Sequence, residues 1–133
     1  MIVVIDANVW VSALQFGGKL TKPVRAVERA LRNNTLATTQ EINAEIRRIL
    51  VEKFQWSSGE AGRLINSYFK RAIYVTISGS IRICRDPNDD MVLECAVLAG
   101  AQIIVSGDKD LLALSSYRGI RIMTPAKFLA ENV

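Results

Sequence analysis

Apolar residues occur along the chain in two patterns, short unbroken runs and longer stretches at helical spacing. The first run, Ile2–Ile5, is apolar throughout, as expected of a strand buried on both faces of a parallel sheet. Because helical stretches separate the runs, the pattern predicts an α/β fold with a mostly parallel sheet of about five strands. The other predicted strands are residues 36–38, 73–77, 102–106 and 120–123.

Capping residues mark where several helices begin. Thr38 and Glu41 match the capping box, in which Glu follows a Ser or Thr by three residues. Ser57 and Glu60 repeat that spacing. Residues 21–23, Thr-Lys-Pro, predict another helix start, since proline suits the first helical turn. Further helices are predicted at residues 91–99 and 110–115.

Composition indicates a folded globular chain. Of its 133 residues, 50% are apolar and 23% are charged, and residues 1–133 are expected to form one domain. No apolar run approaches the roughly 18 residues needed to cross a membrane. Histidine is absent, which excludes His-based acid–base catalysis and most zinc, copper and haem sites. Cys84 and Cys95 lie 11 residues apart, and Cys95 falls in an apolar helical stretch, so reduced thiols and a cytoplasmic location are expected.

Two aspartates follow predicted strands. Asp6 comes directly after Ile2–Ile5, and Asp108 comes after residues 102–106 with one glycine between them. If the strands are parallel, both carboxylates emerge at one edge of the sheet, where α/β proteins bind ligands. Either residue alone is explained equally well as the N-cap of the helix that follows.

Glu45 interrupts the apolar stripe of its helix. Ile42 lies three residues before it and Ile49 four residues after it, so the three side chains share one face. Charged side chains are seldom buried unless they are paired or bind a cation. A buried ion pair with Arg48 or Arg25 is the structural alternative to cation binding.

The run Arg-Asp-Pro-Asn-Asp-Asp-Met at residues 85–91 places three acids in five positions of a basic chain. Asp86 before a proline fits a helix cap. From Asp89, the positions three, four, seven and eleven residues on are apolar or small, so its side chain is expected to face inward. The corresponding positions after Asp90 include Glu94, which predicts that Asp90 lies nearer to solvent.

These acids make a candidate cation site at the sheet edge. Two unit charges 4 Å apart repel by about 4 kcal/mol at an effective dielectric of 20, so converging carboxylates take up protons or bind a cation. Oxygen ligands without His or Cys select hard ions, chiefly Mg²⁺ or Mn²⁺. With a formal net charge of +4, the pattern suggests metal-assisted attack on a phosphodiester. The candidate ligands are Asp6, Glu45, Asp89 and Asp108, with Asp110 close by.

Three segments of the chain together resemble one protein family. They are VIDANVWVSAL, TTQEINAEIRRIL and CRDPNDDMVLECAVLAGAQIIVSGDKDLL, and their order and spacing are similar to those of PIN domains, including the VapC-type toxins of bacterial toxin–antitoxin pairs. The resemblance implies a three-layer α/β/α fold and a Mg²⁺- or Mn²⁺-dependent endoribonuclease that cuts single-stranded RNA. It further implies an antitoxin partner and a homodimer.

Carried over residue by residue, the resemblance implies roles for individual side chains. Asp90 remains a substitute for Asp89 as a ligand, because a one-residue shift in the helix would exchange the two. The implied metal ligands are Asp6, Glu45, Asp89 and Asp108, the implied accessory acid is Asp110, and the implied polar support is Asn8 and Ser106.

Basic and aromatic residues are candidates for contacts with RNA. Arg85, Lys19 and Arg48 are predicted to hold the RNA backbone, although a solvated surface explains these cations equally well. Trp10 and Phe16 could stack on bases. Core packing or a dimer contact is favoured over stacking at their spacing.

Three other functions share some of these features. A haloacid-dehalogenase-type phosphatase needs a second Asp two residues after Asp6, where this chain has Asn8. A receiver-like signalling domain usually has paired acids at its first strand end and does not explain Glu45 on a helix. A non-catalytic RNA-binding or regulatory module is the main alternative, and the retained acids argue against it.

Overall fold

The computed structural model of the protein describes residues 1–16 and 19–131, and within them a six-stranded sheet is flanked by seven helices. The predicted α/β fold is therefore confirmed, with one strand more than expected. Among these residues, the helices are too short to cross a membrane as apolar spans. The strands are Ile2–Ile5 (β1), Thr35–Thr38 (β2), Ile73–Tyr74 (β3), Ile103–Val105 (β4), Ser116–Tyr117 (β5) and Ile120–Met123 (β6). The helices are Ala7–Gln15 (α1), Lys22–Asn33 (α2), Gln40–Phe54 (α3), Ser58–Tyr68 (α4), Pro87–Ala99 (α5), Lys109–Leu114 (α6) and Pro125–Ala130 (α7).

The order of the strands creates a crevice beside β1. The sheet runs β3-β2-β1-β4-β6-β5, and every neighbouring pair is parallel except β5 with β6. From β1 the chain builds outward through β2 to β3, and then returns to form β4 on the other side of β1. The strand order therefore reverses between β1 and β4, and the loops after these two strands flank the position where doubly wound sheets bind ligands.

β1 and β4 form the centre of the core. Nearly all of their side chains are buried, as their unbroken apolar runs predict. Trp10 of α1 is buried as well, and its ring centroid lies 4.5 Å from that of Phe69 and 5.7 Å from that of Tyr68. Core packing is therefore confirmed for Trp10, and its burial rules out base stacking by this residue.

The third strand and the start of α3 differ from the prediction. β3 ends at Tyr74, earlier than expected, because β2 ends at Thr38 and offers no further residues for pairing. One last bond runs from the Val75 amide to the Thr38 carbonyl at 3.1 Å. β2 ends there because Thr39, and not Thr38, caps α3. The Thr39 hydroxyl accepts a hydrogen bond from the Ile42 amide at 3.0 Å.

Glu94 anchors the loop that follows β3. Its side chain is buried in the middle of α5, and its carboxylate accepts hydrogen bonds from the backbone amides of Ser78, Gly79 and Ser80. These donors, the Ser78 amide first, lower the pKa of Glu94. The expectation that Glu94 marks a solvent-facing side of α5 is wrong, because the loop covers that side of the helix.

Replacing Glu94 with Gln is expected to destabilise the fold by roughly 2–4 kcal/mol, because an amide cannot accept three backbone hydrogen bonds as strongly as a carboxylate does. Urea denaturation followed by circular dichroism measures the loss. Glu28→Gln, at an exposed position of α2, is the matched control and should change stability by less than about 0.5 kcal/mol. Equal stability of the two variants would show that Glu94 does not hold the loop.

Candidate active site

Asp6 is placed by the end of β1 and held by a serine that follows β4. Its backbone amide donates to the Val105 carbonyl at 2.9 Å, which continues the pairing of β1 with β4. Its Oδ2 accepts a hydrogen bond from Ser106 Oγ at 2.8 Å, and both side chains are buried. Burial raises the pKa of Asp6, although the hydrogen bond from Ser106 opposes that shift.

The same serine connects Asp6 to Asp108. Ser106 Oγ accepts a hydrogen bond from the Asp108 amide at 3.0 Å while it donates to Asp6. Asp108 in turn caps α6. Its Oδ2 accepts hydrogen bonds from the amides of Asp110 and Leu111 at 3.0 and 3.1 Å. The capping role that the sequence allowed is confirmed, and it brings Asp108 to the same sheet edge as Asp6.

Asp89 lies in the first turn of α5 and faces inward, as predicted. The cap before it is Asp86, whose Oδ1 accepts a hydrogen bond from the Asn88 amide at 2.9 Å. Asp89 is 6% exposed, and its Oδ2 has no hydrogen-bond partner in the part of the chain that the structure describes. Burial, followed by the nearby charge of Asp108, raises the pKa of Asp89 to about 7. One oxygen from each of Asp89, Asp108 and Asp110 lies within 4.8 Å of the other two.

Asp90 points to a different part of the structure. Its Oδ1 accepts hydrogen bonds from the backbone amides of Ile83 and Cys84 at 3.1 and 2.9 Å. Burial acts to raise its pKa, but these backbone donors, the Cys84 amide first, lower it overall. Asp90 therefore holds the loop before α5, whereas Asp89 belongs to the acidic cluster.

Asp110 is shared between the acidic cluster and a cation. The Arg85 guanidinium donates from Nη2 to Oδ1 at 2.7 Å and from Nε to Oδ2 at 3.2 Å. The hydrogen bonds from Arg85 lower the pKa of Asp110. Arg85, which was predicted to contact RNA, thus reaches the acids but is already paired with one of them.

Glu45 is paired with a cation of its own helix. Arg48 donates to its Oε1 at 2.6 Å and to its Oε2 at 3.0 Å, and it also binds Glu52 at 2.7 Å. The hydrogen bonds from Arg48 lower the pKa of Glu45. Glu45 is not among the described carboxylates that gather within 4.8 Å of one another. The contacts of Glu45 are therefore those of an ion pair with Arg48, which was the structural alternative to cation binding. The role of Glu45 as a metal ligand stays a prediction.

The other residues predicted to bind RNA lie at the surface. Arg48 is engaged by two glutamates of α3, as described above. Lys19 Nζ lies 5.6 Å from the centroid of the Phe16 ring, which is a cation–π contact. Phe16 is 44% exposed, in contrast to the buried Trp10.

A cleft of about 690 Å³ opens beside the acids. Asp108, Asp110 and Arg85 contribute to its wall, and its volume is within the range of ligand-binding sites. Cationic and neutral polar side chains make up much of the remaining lining, which suits a polar anionic ligand. They are Asn8, Ser12, Lys22, Lys109 and Thr124.

Sequence reasoning missed three polar residues of this cleft, Ser12, Lys109 and Thr124. Lys109 is the first residue of α6, Thr124 caps α7, and Ser12 lies one turn beyond Asn8 on α1. Thr124 directly follows β6 and Lys109 opens the helix after β4, so position after a strand, which pointed to Asp6 and Asp108, would have found these two. Ser12 lies within α1, and its helical spacing from Asn8 is the signal that could have found it.

The acidic cluster fits a hard divalent cation. Its donors are carboxylate oxygens within 4.8 Å of one another, and oxygen donors without His or Cys suit Mg²⁺ or Mn²⁺. The unpartnered Oδ2 of Asp89 is the strongest sign, since buried polar atoms normally have a partner. Mg²⁺ or Mn²⁺ would find suitable ligands in Asp89 and Asp108, with Asp6 and Asp110 beside them.

A family model described as PIN domain matches residues 2–110 of the sequence. The chain belongs to the PIN-domain family. The predicted membership is confirmed, and the phosphatase and receiver-like alternatives are set aside. Curated proteins provide no match to this PIN domain.

Solved structures share the fold of this PIN domain. A chain from the crystal structure of VapBC2 from Rickettsia felis, bound to a DNA fragment from their promoter, has a TM-score of 0.64 and 15% identity over 92% of this chain and 97% of that chain. A chain of VapBC-1 from nontypeable Haemophilus influenzae has a TM-score of 0.62 and 13% identity, and the match covers 95% of this chain and 99% of that chain. At these identities the likeness shows the fold, and the predicted PIN-like sandwich is confirmed.

Without metal, Asp89→Asn should stabilise this PIN domain above pH 7. The pKa of Asp89 is raised from 3.8 to about 7, so the folded state holds its proton more tightly than the unfolded chain does. Wild-type stability therefore falls as the pH rises from about 4 to 7, and Asn removes that loss, worth a few kcal/mol. Thermal unfolding in EDTA should show a gain of several degrees in Tm at pH 8 and a smaller one near pH 4.5.

Asp90→Asn is the matched control from the same helix, and it should act in the opposite direction. Its carboxylate accepts two backbone hydrogen bonds, so the substitution should lower stability by about 1–2 kcal/mol at pH 8. If Asp89→Asn is instead the destabilising variant, the assignment of these two acids is reversed.

Proposed function

We propose that this PIN domain is an endoribonuclease that requires Mg²⁺ or Mn²⁺ and cuts single-stranded RNA. The observation that carries this function is the buried, unpartnered Oδ2 of Asp89 close to Asp108. Asp6, which Ser106 holds at the end of β1, is a further proposed ligand, although it is not among the described carboxylates that lie within 4.8 Å of one another. Glu45 is a fourth proposed ligand, and it would have to leave Arg48 to reach the ion. Two lysines, Lys22 and Lys109, line the cleft beside the acids and favour an anionic polymer as substrate.

A divalent ion at these carboxylates would supply Lewis-acid catalysis and offset negative charge on the phosphate in the transition state. The protein's own residues fix the ligands before substrate arrives. Ser106 holds Oδ2 of Asp6, and the amides of α6 hold Oδ2 of Asp108. Such preorganised groups need no rearrangement during the reaction. Because the chain has no histidine, the proton of the attacking water would pass to a carboxylate oxygen of Asp108 or Asp110, while the P–O bond to the leaving ribose oxygen breaks and that oxygen takes a proton from solvent.

The Arg85–Asp110 pair gives the cleft a group that can exchange partners. A guanidinium binds a phosphate through the same two-point geometry that it uses with a carboxylate. When RNA enters the cleft, a backbone phosphate competes with Asp110 for Arg85. The exchange would place Arg85 on the RNA and leave Asp110 free to accept a proton. Asn8, exposed at the cleft, is proposed to contact the same substrate.

The proposed cellular role is that of the toxin in a toxin–antitoxin pair. Support comes from the fold that this chain shares with chains of VapBC structures, and an antitoxin partner and a homodimer are proposed with it. Induced expression of the wild type in bacteria should arrest growth, and expression of Asp89→Asn should not. Normal growth with wild-type protein present would contradict the toxin role and leave nuclease activity to be decided in vitro.

Cleavage of a labelled single-stranded RNA should require a divalent ion and the clustered acids. EDTA should abolish it, and Asp6→Asn and Asp89→Asn should each slow it about a hundredfold or more, because each removes a charged ligand from the ion. The measurement is the single-turnover rate in Mg²⁺ on unstructured RNA, structured RNA and single-stranded DNA. Asp90→Asn, assayed under conditions in which the variant is folded, should retain most of the wild-type cleavage rate.

Two outcomes would contradict this function. Cleavage that survives both EDTA and Asp6→Asn would exclude a metal-dependent nuclease. RNA binding with no cleavage in either metal would favour the non-catalytic RNA-binding module.

Lys22→Gln and Lys109→Gln should each weaken RNA binding and reduce its dependence on salt. Both lysines line the cleft, and removing one lysine–phosphate interaction should lower the slope of log affinity against log salt by about 0.7. Fluorescence anisotropy in EDTA, between about 50 and 200 mM salt, measures the slope. Arg32→Gln, at the far end of α2 from Lys22, should leave it unchanged. A wild-type slope in both lysine variants would place the RNA outside this cleft.

A further inference from the structure

A second cleft lies between α3 and α4, with Tyr74 of β3 in its wall. It encloses about 350 Å³, at the small end of the range for ligand pockets. We propose that this second cleft binds one unpaired adenine of the RNA, a few nucleotides from the bond that is cut. This inference rests on the proposed function, and it names a determinant of sequence preference for the same reaction.

The floor of the second cleft is small and largely apolar. It is formed by Ala44, Gly62 and Ile65, of which Ile65 is buried. A Cβ added at Gly62 would lie 3.3 Å from Cζ of Arg47, so the guanidinium packs directly against the glycine. Arg47 is exposed, and the face of its guanidinium turned away from Gly62 is suited to a nucleobase, which stacks on arginine and aromatic side chains.

The wall of the second cleft carries a fixed hydrogen-bond chain. Thr38 Oγ1 donates to Asn43 Oδ1 at 2.8 Å, and Asn43 Nδ2 donates to Tyr74 Oη at 3.0 Å. Thr38 is buried, so the chain is anchored in the core and sets the orientation of the Asn43 amide. Because Tyr74 Oη accepts from Asn43, its own hydrogen is directed elsewhere and can be donated to a ligand.

Two more carboxamides, those of Gln40 and Asn66, line the second cleft and are exposed. A carboxamide presents a donor and an acceptor side by side, which matches the amino group and ring nitrogen of adenine. Unpaired bases in RNA are read through such edges. This complementarity is the reason for proposing adenine.

Charge in the second cleft also favours RNA. Arg47 is the one charged residue in its lining within the described chain, and no carboxylate accompanies it there. Its Nε and Nη2 both donate to Ser58 Oγ, at 3.0 and 2.6 Å, which holds the plane of the guanidinium. A held guanidinium can stack on a base or contact the phosphate that follows it.

The second cleft lies on the same edge of the sheet as the acids. Tyr74 is paired with Thr38 at the end of β2, and β2 is paired with β1, which leads into Asp6. Neighbouring strands are about 4.8 Å apart, so β3 ends about 10 Å from β1. A single RNA strand that crosses this edge can therefore occupy both places within a few nucleotides.

The first test measures binding alone, so it does not depend on cleavage. Short oligo(A), oligo(C), oligo(G) and oligo(U) are titrated against the folded protein in EDTA, with fluorescence anisotropy as the readout. Wild type should bind oligo(A) about tenfold more tightly than the others. Tyr74→Phe, which keeps the ring and removes only the hydroxyl, and Asn66→Ala should each reduce that preference severalfold. Asn33→Ala is the matched control. Asn33 is exposed at the C-terminal end of α2 and does not line the second cleft, so this variant should retain the preference.

The second test examines where a random single-stranded RNA is cut in Mg²⁺. Wild type should enrich adenine at one fixed position near the cut, and Tyr74→Phe and Asn66→Ala should flatten that position while cleavage continues. Asp89→Asn should instead suppress cuts at all sequences. A preference for oligo(A) without any cleavage would therefore contradict the proposed nuclease activity and still support the adenine site.

Two outcomes would overturn the adenine site. One is equal binding of the four oligonucleotides by wild type, and the other is an unchanged preference in both cleft variants. If the variants with unchanged preference also show a new elution volume in size-exclusion chromatography, the cleft is a protein contact.

Discussion

The site depends on the burial of two carboxylates, those of Asp6 and Asp89, beside a third at the ends of parallel strands. An ionised carboxylate is costly to bury, and neither residue has a cation among its hydrogen-bond partners in the described chain. The apolar strands and helices beneath them supply the free energy that keeps them in place. Burial and mutual repulsion raise the pKa values of both carboxylates, and a divalent ion beside them would offset that repulsion, so binding of an ion is expected to stabilise the folded protein.

Three acids at the start of helix α5 have three different structural roles. Asp86 caps the helix, Asp89 turns into the site, and Asp90 turns toward the preceding loop. Successive helical residues differ in direction by about 100°, which is enough to send adjacent aspartates to different environments. Glu94, one turn after Asp90, binds the far end of the same loop. One face of α5 therefore binds the loop and another face presents Asp89 to the site. A rotation of the helix that moved Asp89 would also break the hydrogen bonds to the loop.

The sequence predicts features whose determinants are local or follow from strand direction. The caps at Asp86 and Ser57 depend on contacts two or three residues away, and Asp6 and Asp108 were found because parallel strands end at one edge. Prediction failed where the deciding contact is distant. Glu94 binds amides 14 to 16 positions before it, and β3 is short because its partner β2 ends at Thr38. For Glu45, one spacing supports both a cation ligand and a pair with Arg48, so no pattern in the sequence could choose between them.

The hydrogen bond between Ser106 and Asp6 joins residues that are 100 positions apart in the chain. During synthesis on the ribosome, Asp6 is made 100 residues before Ser106, so it has neither its serine nor its neighbouring acids until α5, β4 and the residues after β4 have been made. Contacts of such long separation also form slowly. For an enzyme proposed to cut RNA, this order of assembly is protective. The nascent chain is surrounded by messenger and ribosomal RNA, yet its site stays incomplete until the residues that follow β4 have been made and folded.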